Sequence, residues 1–212
     1  MRHIHPALAK AVPAGTGRAL DFGCGDCPNR SFLESRGYKY VGMDNDLTKI
    51  NSSVWGDCHE APFKSGTFSI VVSTAVFEHL LDPVAAVKEV KRILENGGIF
   101  VGSVAFLEPF HSNSHFHMSH LGLLKVLKEG GLEVERIWPG GNVLEAQFYN
   151  LFPWNGINLI AGFFGRVIWW LHLLLFYLRD IVKRKKAYAD NNLHRLAFAS
   201  AIGFVARKED ER

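Results

Sequence analysis

Cysteine and net charge are both scarce in this chain. Three cysteines among 212 residues, Cys24, Cys27 and Cys58, cannot all pair with one another, so a disulfide-stapled secreted scaffold is not expected. Met1 to Ala14 holds no apolar run of the length a signal peptide needs, and a reducing, cytoplasmic setting is the expectation. A net charge of +3 without an early basic cluster is too weak for a nucleic-acid footprint, so no nucleic-acid partner is expected. The basic residues that do gather lie late, at Arg179, Lys183, Arg184, Lys185 and Lys186. The one CxxC pair, Cys24 and Cys27, has no second pair downstream and sits inside a glycine loop with another explanation, so no metal site is expected there. No GK[ST] follows that loop, which excludes a P-loop.

What is present is a globular composition, 48% hydrophobic and 21% charged, enough for a single domain over residues 1–212. The apolar runs alternate with helical periodicity. Arg18 to Phe22, Tyr38 to Met43, Ser53 to Trp55, Phe68 to Val76, Ile99 to Ala105, Leu132 to Trp138 and Ala199 to Ala206 read as strands. Phe68 to Val76, almost continuously apolar, suits a central strand covered on both faces. Helices are expected around Ser31 to Arg36, from the Asp82 cap and Pro83 through Leu94 to a stop at Asn96, Gly97 and Gly98, and over Leu121 to Lys128. Such alternation predicts an α/β sheet with right-handed crossovers.

The informative loop is Leu20-Asp21-Phe22-Gly23-Cys24-Gly25-Asp26-Cys27. Gly23 and Gly25, after the first strand, let a ligand approach the backbone closely. The third glycine of GxGxxG is absent, with Pro28 in its place, which argues against a dinucleotide. Asp21 opens the loop, and a carboxylate suits a ligand with positive groups, such as the amino and sulfonium groups of S-adenosylmethionine. Asp44, 23 positions later, ends the second strand, where a carboxylate can accept both ribose hydroxyls. Asp57 ends the third, within reach of an adenine amino group. Any one of these aspartates has an ordinary reading as a turn or cap residue; three at successive strand ends beside a glycine loop do not.

These pieces together resemble the class I S-adenosylmethionine-dependent methyltransferases, in particular the methyltransferase type 11 domains. The matching stretches are LDFGCGDC, VGMDND, GDCHEAPF, FSIVVSTAVFEHLLDP and VKRILENGGIFVGSV. The resemblance implies a Rossmann-like, seven-stranded, mostly parallel sheet of order 3-2-1-4-5-7-6, last strand antiparallel, with helices on both faces. It also implies S-adenosyl-L-methionine as cofactor, with Asp21, Gly23 and Gly25 at its methionine end, Asp44 on ribose, Asp57 and Cys58 flanking adenine, and Thr74 and the Glu78-His79 pair at the strand end facing the methyl group. One departure is that Cys27 stands where the pattern has its third loop glycine.

After the fifth strand come His111, His115, His117 and His120, four histidines in ten residues. Related methyltransferases carry a PFH segment facing substrate in this place, so His111 and His115 are the candidate bases or acceptor contacts; loop and cap roles are the alternative for most of the four. The spacing matches no standard zinc motif. Residues 143–190 form an apolar helical insertion before the last strand. Ile157 to Leu178, as a helix of about 33 Å, is nominally long enough to span a bilayer, but Arg166 interrupts it and a span would strand the last strand across the membrane. A helix lying in the interface is expected instead, with Phe163, Phe164, Trp169, Trp170 and Phe176 dipping in and the basic stretch on anionic headgroups. Packing on the domain or a homodimer interface is the competing reading. The expectation is transfer of a methyl group to a small-molecule or lipid-linked acceptor, peripherally on the inner face of a membrane. A non-catalytic cofactor-binding scaffold and a nicotinamide oxidoreductase are the alternatives.

Overall fold

The computed structural model describes residues 6–46, 48, 51, 53–108, 113–144, 146–147, 157–182 and 195–210. Seven strands make one sheet: β1 (Arg18–Phe22), β2 (Lys39–Asp44), β3 (Val54–Trp55), β4 (Phe68–Thr74), β5 (Leu94–Ala105), β6 (Glu133–Pro139) and β7 (Ala201–Arg207). Their order is β3-β2-β1-β4-β5-β7-β6, as expected. Pairings from β3 to β5 are parallel, and β7 runs antiparallel to both β5 and β6.

Helices cover both faces. α1 (Pro6–Ala11) and α2 (Arg30–Ser35) lie on one, and α3 (Pro83–Ile93) and α4 (His120–Glu129) on the other. β4 shows why: Val71 joins a core cluster with Val87, Val90 and Leu123 of α3 and α4, while Ile70 and Val72 join Leu8, Val12 and Leu33 of α1 and α2. A strand covered on both sides favours apolar residues, which explains the run Ile70-Val71-Val72, and the buried hydroxyl of Ser73 is satisfied by donating to Phe22 O at 3.1 Å.

Most other boundaries shift by one or two residues from the sequence expectation, and three differences have a local cause. β4 stops at Thr74, because Ala75 turns to φ 54° and Phe77–His79 form a 3-10 turn. α3 ends at Ile93, before the Asn96-Gly97-Gly98 stop: fully buried Leu94 turns extended and pairs with Phe68, and a register shift ahead of Ile99 absorbs the glycines. β3 is only two residues long, so Asp57 lies beyond it in a turn bridged to Glu60. The N-terminus of α3 is as expected, with Asp82 Oδ1 accepting from Ala85 N at 2.9 Å and Pro83 at its first position.

The insertion contains α5 (Ile157–Val182), 26 residues long. It docks through Trp169, which is buried, stacks on His172 with centroids 5.8 Å apart and meets Phe198 at 6.2 Å. That corrects the expectation that Trp169 dips into an interface. Phe163, Phe164, Trp170, Leu171, Leu174 and Leu175 are exposed; the side chain of Phe176 lies outside those described. No helix among the described residues is long and apolar enough to cross a membrane.

Candidate active site

In an open α/β sheet a ligand crevice forms at the carboxyl ends of the strands where the order reverses. Here that point lies between β1 and β4, and the first residues of interest stand there. Asp21 is 1% exposed. Its Oδ1 accepts from Asn29 Nδ2 at 3.1 Å and its Oδ2 from the Tyr40 hydroxyl at 3.0 Å. Burial pushes its carboxyl up to about 6, against the opposing pull of those two hydrogen bonds. Asn29 Nδ2 also reaches Thr74 Oγ1 at 3.5 Å, so one amide ties the end of β1 to the end of β4. The Tyr40 contact depends on Gly42, which is paired with Asp21: the Tyr40 hydroxyl lies 2.7 Å from where a Cβ on Gly42 would stand. Arg30 covers the Tyr40 ring at 4.9 Å.

The loop after β1 is fastened to β2. Gly23 N and Cys24 N both donate to Met43 O at 2.9 Å, and Gly25 N donates to Asp44 Oδ2 at 2.7 Å. Gly23 takes φ 75° and Gly25 φ 51°, backbone regions costly for other residues. The two differ in surroundings: a Cβ on Gly23 would meet Val76 at 2.6 Å, whereas one on Gly25 meets nothing within 4 Å. Asp44 Oδ1 accepts from Asp46 N at 2.9 Å; each oxygen keeps a lone pair, so the carboxylate can still accept from a vicinal diol. Cys27 has φ 58°, and its Sγ lies 3.5 Å from Cys24 Sγ and donates to Asn51 O at 3.1 Å. Burial raises the Cys24 thiol far above its usual range.

Asp57 and Cys58 follow β3, where, beyond burial, the Asp44 charge adds to the upward shift of the Cys58 thiol. Asp57 Oδ1 accepts from His59 N at 2.8 Å and meets His59 Nδ1 at 2.7 Å, contacts that hold its carboxyl below the usual range. Cys58 is buried in the main core near Met43 and Ala61, with its thiol pushed up to about 12 by burial. Its side chain is thus packing, and its backbone is what remains for a ligand edge. His115 is exposed, and its backbone N donates to Glu78 O at 2.6 Å, joined by Phe116 N at 3.1 Å. The loop after β5 is therefore pinned over the turn that follows β4. His117 has Nδ1 3.0 Å from Phe106 O and Nε2 3.3 Å from Ser114 Oγ, so its ring ties the loop together, and His120 begins α4. His111, like Lys183, Arg184, Lys185 and Lys186, lies outside the described residues.

The structure thus links Asp21, Gly23, Gly25, Asp44 and Thr74 and brings His115 to the same strand ends. It adds Asn29 and Tyr40, which the sequence did not single out. Asn29 had a weak signal as the residue before a short helix; Tyr40 had none without the register that sets it beside Gly42.

Residues 20–102 match the family model for a methyltransferase domain. A Mycolicibacterium smegmatis protein bearing the name of an S-adenosylmethionine-dependent methyltransferase is 25% identical over 173 residues, 64% of this chain and 66% of its own length. An Encephalitozoon cuniculi protein named as a methyltransferase is 39% identical over 90 residues, covering 37% of this chain and 40% of its own. The matches span less than two thirds of the length of either relative. Among solved structures, an S-adenosylmethionine-dependent methyltransferase from Mesorhizobium loti superposes with TM-score 0.61 at 14% identity, covering 95% of this chain and 96% of that one. A geranyl diphosphate methyltransferase in complex with GPP and sinefungin gives 0.59 at 15%, covering 95% and 78%. The [4+2]-cyclase SpnF gives 0.62 at 15%, covering 97% and 79%. At these identities the structural likenesses establish the fold.

Proposed function

We propose that this chain carries an S-adenosylmethionine-dependent methyltransferase domain, and that it transfers a methyl group from S-adenosyl-L-methionine to a small-molecule or lipid-linked acceptor. The observation that carries the reading is the frame at the switch point of the sheet: Asp21 held by Asn29 and Tyr40, and Asp44 held by the backbone of Gly25. The residues fit the cofactor. Open space where a Cβ on Gly25 would stand leaves the loop clear for a ligand, and the buried Asp21 carboxylate matches the cationic methionine end. In this reading Asp21, Gly23, Gly25 and Thr74 line that end, Asp44 takes ribose, and Asp57 and Cys58 flank adenine.

The bound cofactor supplies an activated methyl group, displaced in line by the acceptor nucleophile. Such chemistry depends on alignment, which accounts for about 7 to 11 kcal/mol in well-oriented reactions. The chain's part is to orient and to accept a proton. His115, pinned over the end of β4 by Glu78 O, and His111 are the candidate bases. Alanine at either lowers turnover by about 10² to 10⁴-fold if it acts so, and an unchanged rate removes it from catalysis.

The primary test is calorimetric titration with S-adenosylmethionine and with NADH. Affinity for the first alone supports the assignment; affinity for neither sinks it. Binding without transfer to any offered acceptor supports a scaffold instead. One neighbour of the same fold is named a [4+2]-cyclase, so the fold by itself does not dictate methyl transfer.

We place the activity in the cytoplasm, on the inner face of a membrane. The support is the exposed apolar side of α5, followed in sequence by Lys183, Arg184, Lys185 and Lys186, an apolar face joined to positive charge. Flotation with phosphatidylserine vesicles tests it. Failure to float, with a dimer in solution, assigns the same face to a homodimer.

A further inference from the structure

Resting on the cofactor reading above, the geometry points to Glu89 and Arg92 of α3 as positioning residues that hold the Asp57–Phe63 loop in register with the adenine end of the cofactor. Cys58 and Ala61 anchor the loop in the core by packing, but its backbone has little regular structure of its own. It follows a two-residue strand, and its own ladder contact is the single bridge between Asp57 and Glu60. One helix adds directional hydrogen bonds to that packing, gripping the loop at two places.

At the start of α3, His59 Nε2 accepts from Asp82 N at 3.3 Å. At its last turn, Glu89 Oε1 accepts from Ala61 N at 2.8 Å. Arg92 Nη2 donates to Ala61 O at 3.0 Å and Nη1 to Phe63 O at 2.8 Å. The two side chains are themselves locked in a fork: Arg92 Nε lies 2.8 Å from Glu89 Oε2, and Nη2 2.6 Å from Oε1. Glu89 and Arg92 thereby satisfy both polar groups of the Ala61 backbone and one of Phe63. Phe63 then packs edge-on against Phe68 at 4.9 Å, anchoring the far end of the loop to β4.

A guanidinium is required by this geometry. Its donors leave one planar group in fixed directions, serving a carboxylate and two carbonyls at once; an ammonium cannot reproduce the fork. Neither side chain reaches the frame around Asp21, so their influence on the cofactor passes through the loop backbone. That separates them from residues that touch the ligand.

The test compares two ligands that share adenosine but differ at the methionine end, S-adenosylhomocysteine and methylthioadenosine, on the full chain. Arg92→Gln weakens both by the same factor, about tenfold, inside the hundredfold that a misplacement of 1 Å can cost. Arg92→Lys recovers little of this, and Glu89→Gln, which keeps an acceptor for Ala61 N, weakens both by less. Asp21→Asn serves as the contrast, weakening S-adenosylhomocysteine alone. Thermal unfolding is measured alongside, with binding read well below each midpoint. Should Arg92→Gln not fold, Arg92→Lys and Glu89→Gln carry the same comparison. Folded variants with lowered midpoints but wild-type affinity for both ligands make the pair purely structural and overturn the proposal. Wild-type protein that binds neither ligand overturns the cofactor reading instead, a different result.

Discussion

The two regions to which the proposed function assigns roles settle their side chains in opposite ways. At the ends of β1, β2 and β4 every polar group of interest is already tied to another part of the protein: Asp21 to Asn29 and Tyr40, Asp44 to Gly25 and Asp46. On α5 one aromatic, Trp169, is packed while its neighbour Trp170 is 65% exposed. The first region is preorganised, so its binding loses little entropy in ordering side chains. The second carries apolar surface whose burial would be worth about 1.5 to 3 kcal/mol per large side chain if fully covered, and its docking is through one edge. The proposed function accordingly assigns ligand chemistry to the rigid region and attachment to the helix.

The largest effect that breaks this contrast is expected at Asp21. Its carboxyl titrates at about 6 in the folded protein against 3.8 when free, chiefly through burial. The folded state therefore holds that proton more tightly than the unfolded chain does. Stability of the unliganded protein is complete below about pH 4 and declines as pH rises through about 6, by up to about 3 kcal/mol. Asp21→Asn removes the decline: it raises the thermal midpoint at pH 8 and leaves it unchanged near pH 3.5. The same substitution weakens S-adenosylmethionine by about a hundredfold, the scale of a lost hydrogen bond to a charged group. In the wild type, that affinity falls about tenfold per pH unit below pH 6. Calorimetry across pH checks it, and a variant that binds as tightly as wild type removes Asp21 from the site.

Glycine substitutions sharpen the comparison within the loop. Gly23→Ala meets Val76 at 2.6 Å as well as a φ of 75°, so it lowers stability by about 1 to 3 kcal/mol. Gly25→Ala meets nothing within 4 Å. It costs about 1 kcal/mol of backbone strain, yet places a methyl group where the ligand is proposed to lie and lowers its affinity about tenfold. Denaturant midpoints and titrations on the pair separate packing from binding; equal losses of affinity per unit of stability would merge the two roles. On α5, Phe163→Ser with Trp170→Ser abolishes vesicle flotation and moves the thermal midpoint little, whereas Trp169→Ala loosens the helix from Phe198.

Much of the cofactor region was legible because its signals are local. Glycines after a strand, a carboxylate at a strand end and an Asp-Pro helix start each act within a few residues, and the sheet order came with the resemblance those motifs carry. What was illegible depends on register or on distant partners. Tyr40 reaches Asp21 only because β1 and β2 align Asp21 with Gly42, and Arg92 reaches Ala61 across 31 positions. The sequence places Asp57 at a strand end, but His59 two residues on captures its carboxylate, an Asx-type turn that competes with the strand. Trp169 and Trp170 were equivalent by composition; only helix phase, set by docking on Phe198, buries one and exposes the other.

The smallest expected effect is at Cys27, and its sign distinguishes two views of the loop. A side chain at φ 58° costs about 1 to 2 kcal/mol where glycine costs almost nothing. Against that stand the turn closed by Cys27 N on Cys24 O at 2.8 Å, which glycine retains, and the thiol contact to Asn51 O at 3.1 Å, which it loses. A thiol is a weak donor, so its loss lies at the low end of the usual 0.5 to 1.5 kcal/mol, about half a kcal/mol. Relief of strain is the larger quantity. Cys27→Gly is therefore expected to raise the thermal midpoint by about 2 °C and to leave S-adenosylhomocysteine affinity unchanged. A midpoint that falls instead would mean that the buried thiols, rather than the backbone turn, hold this loop in shape.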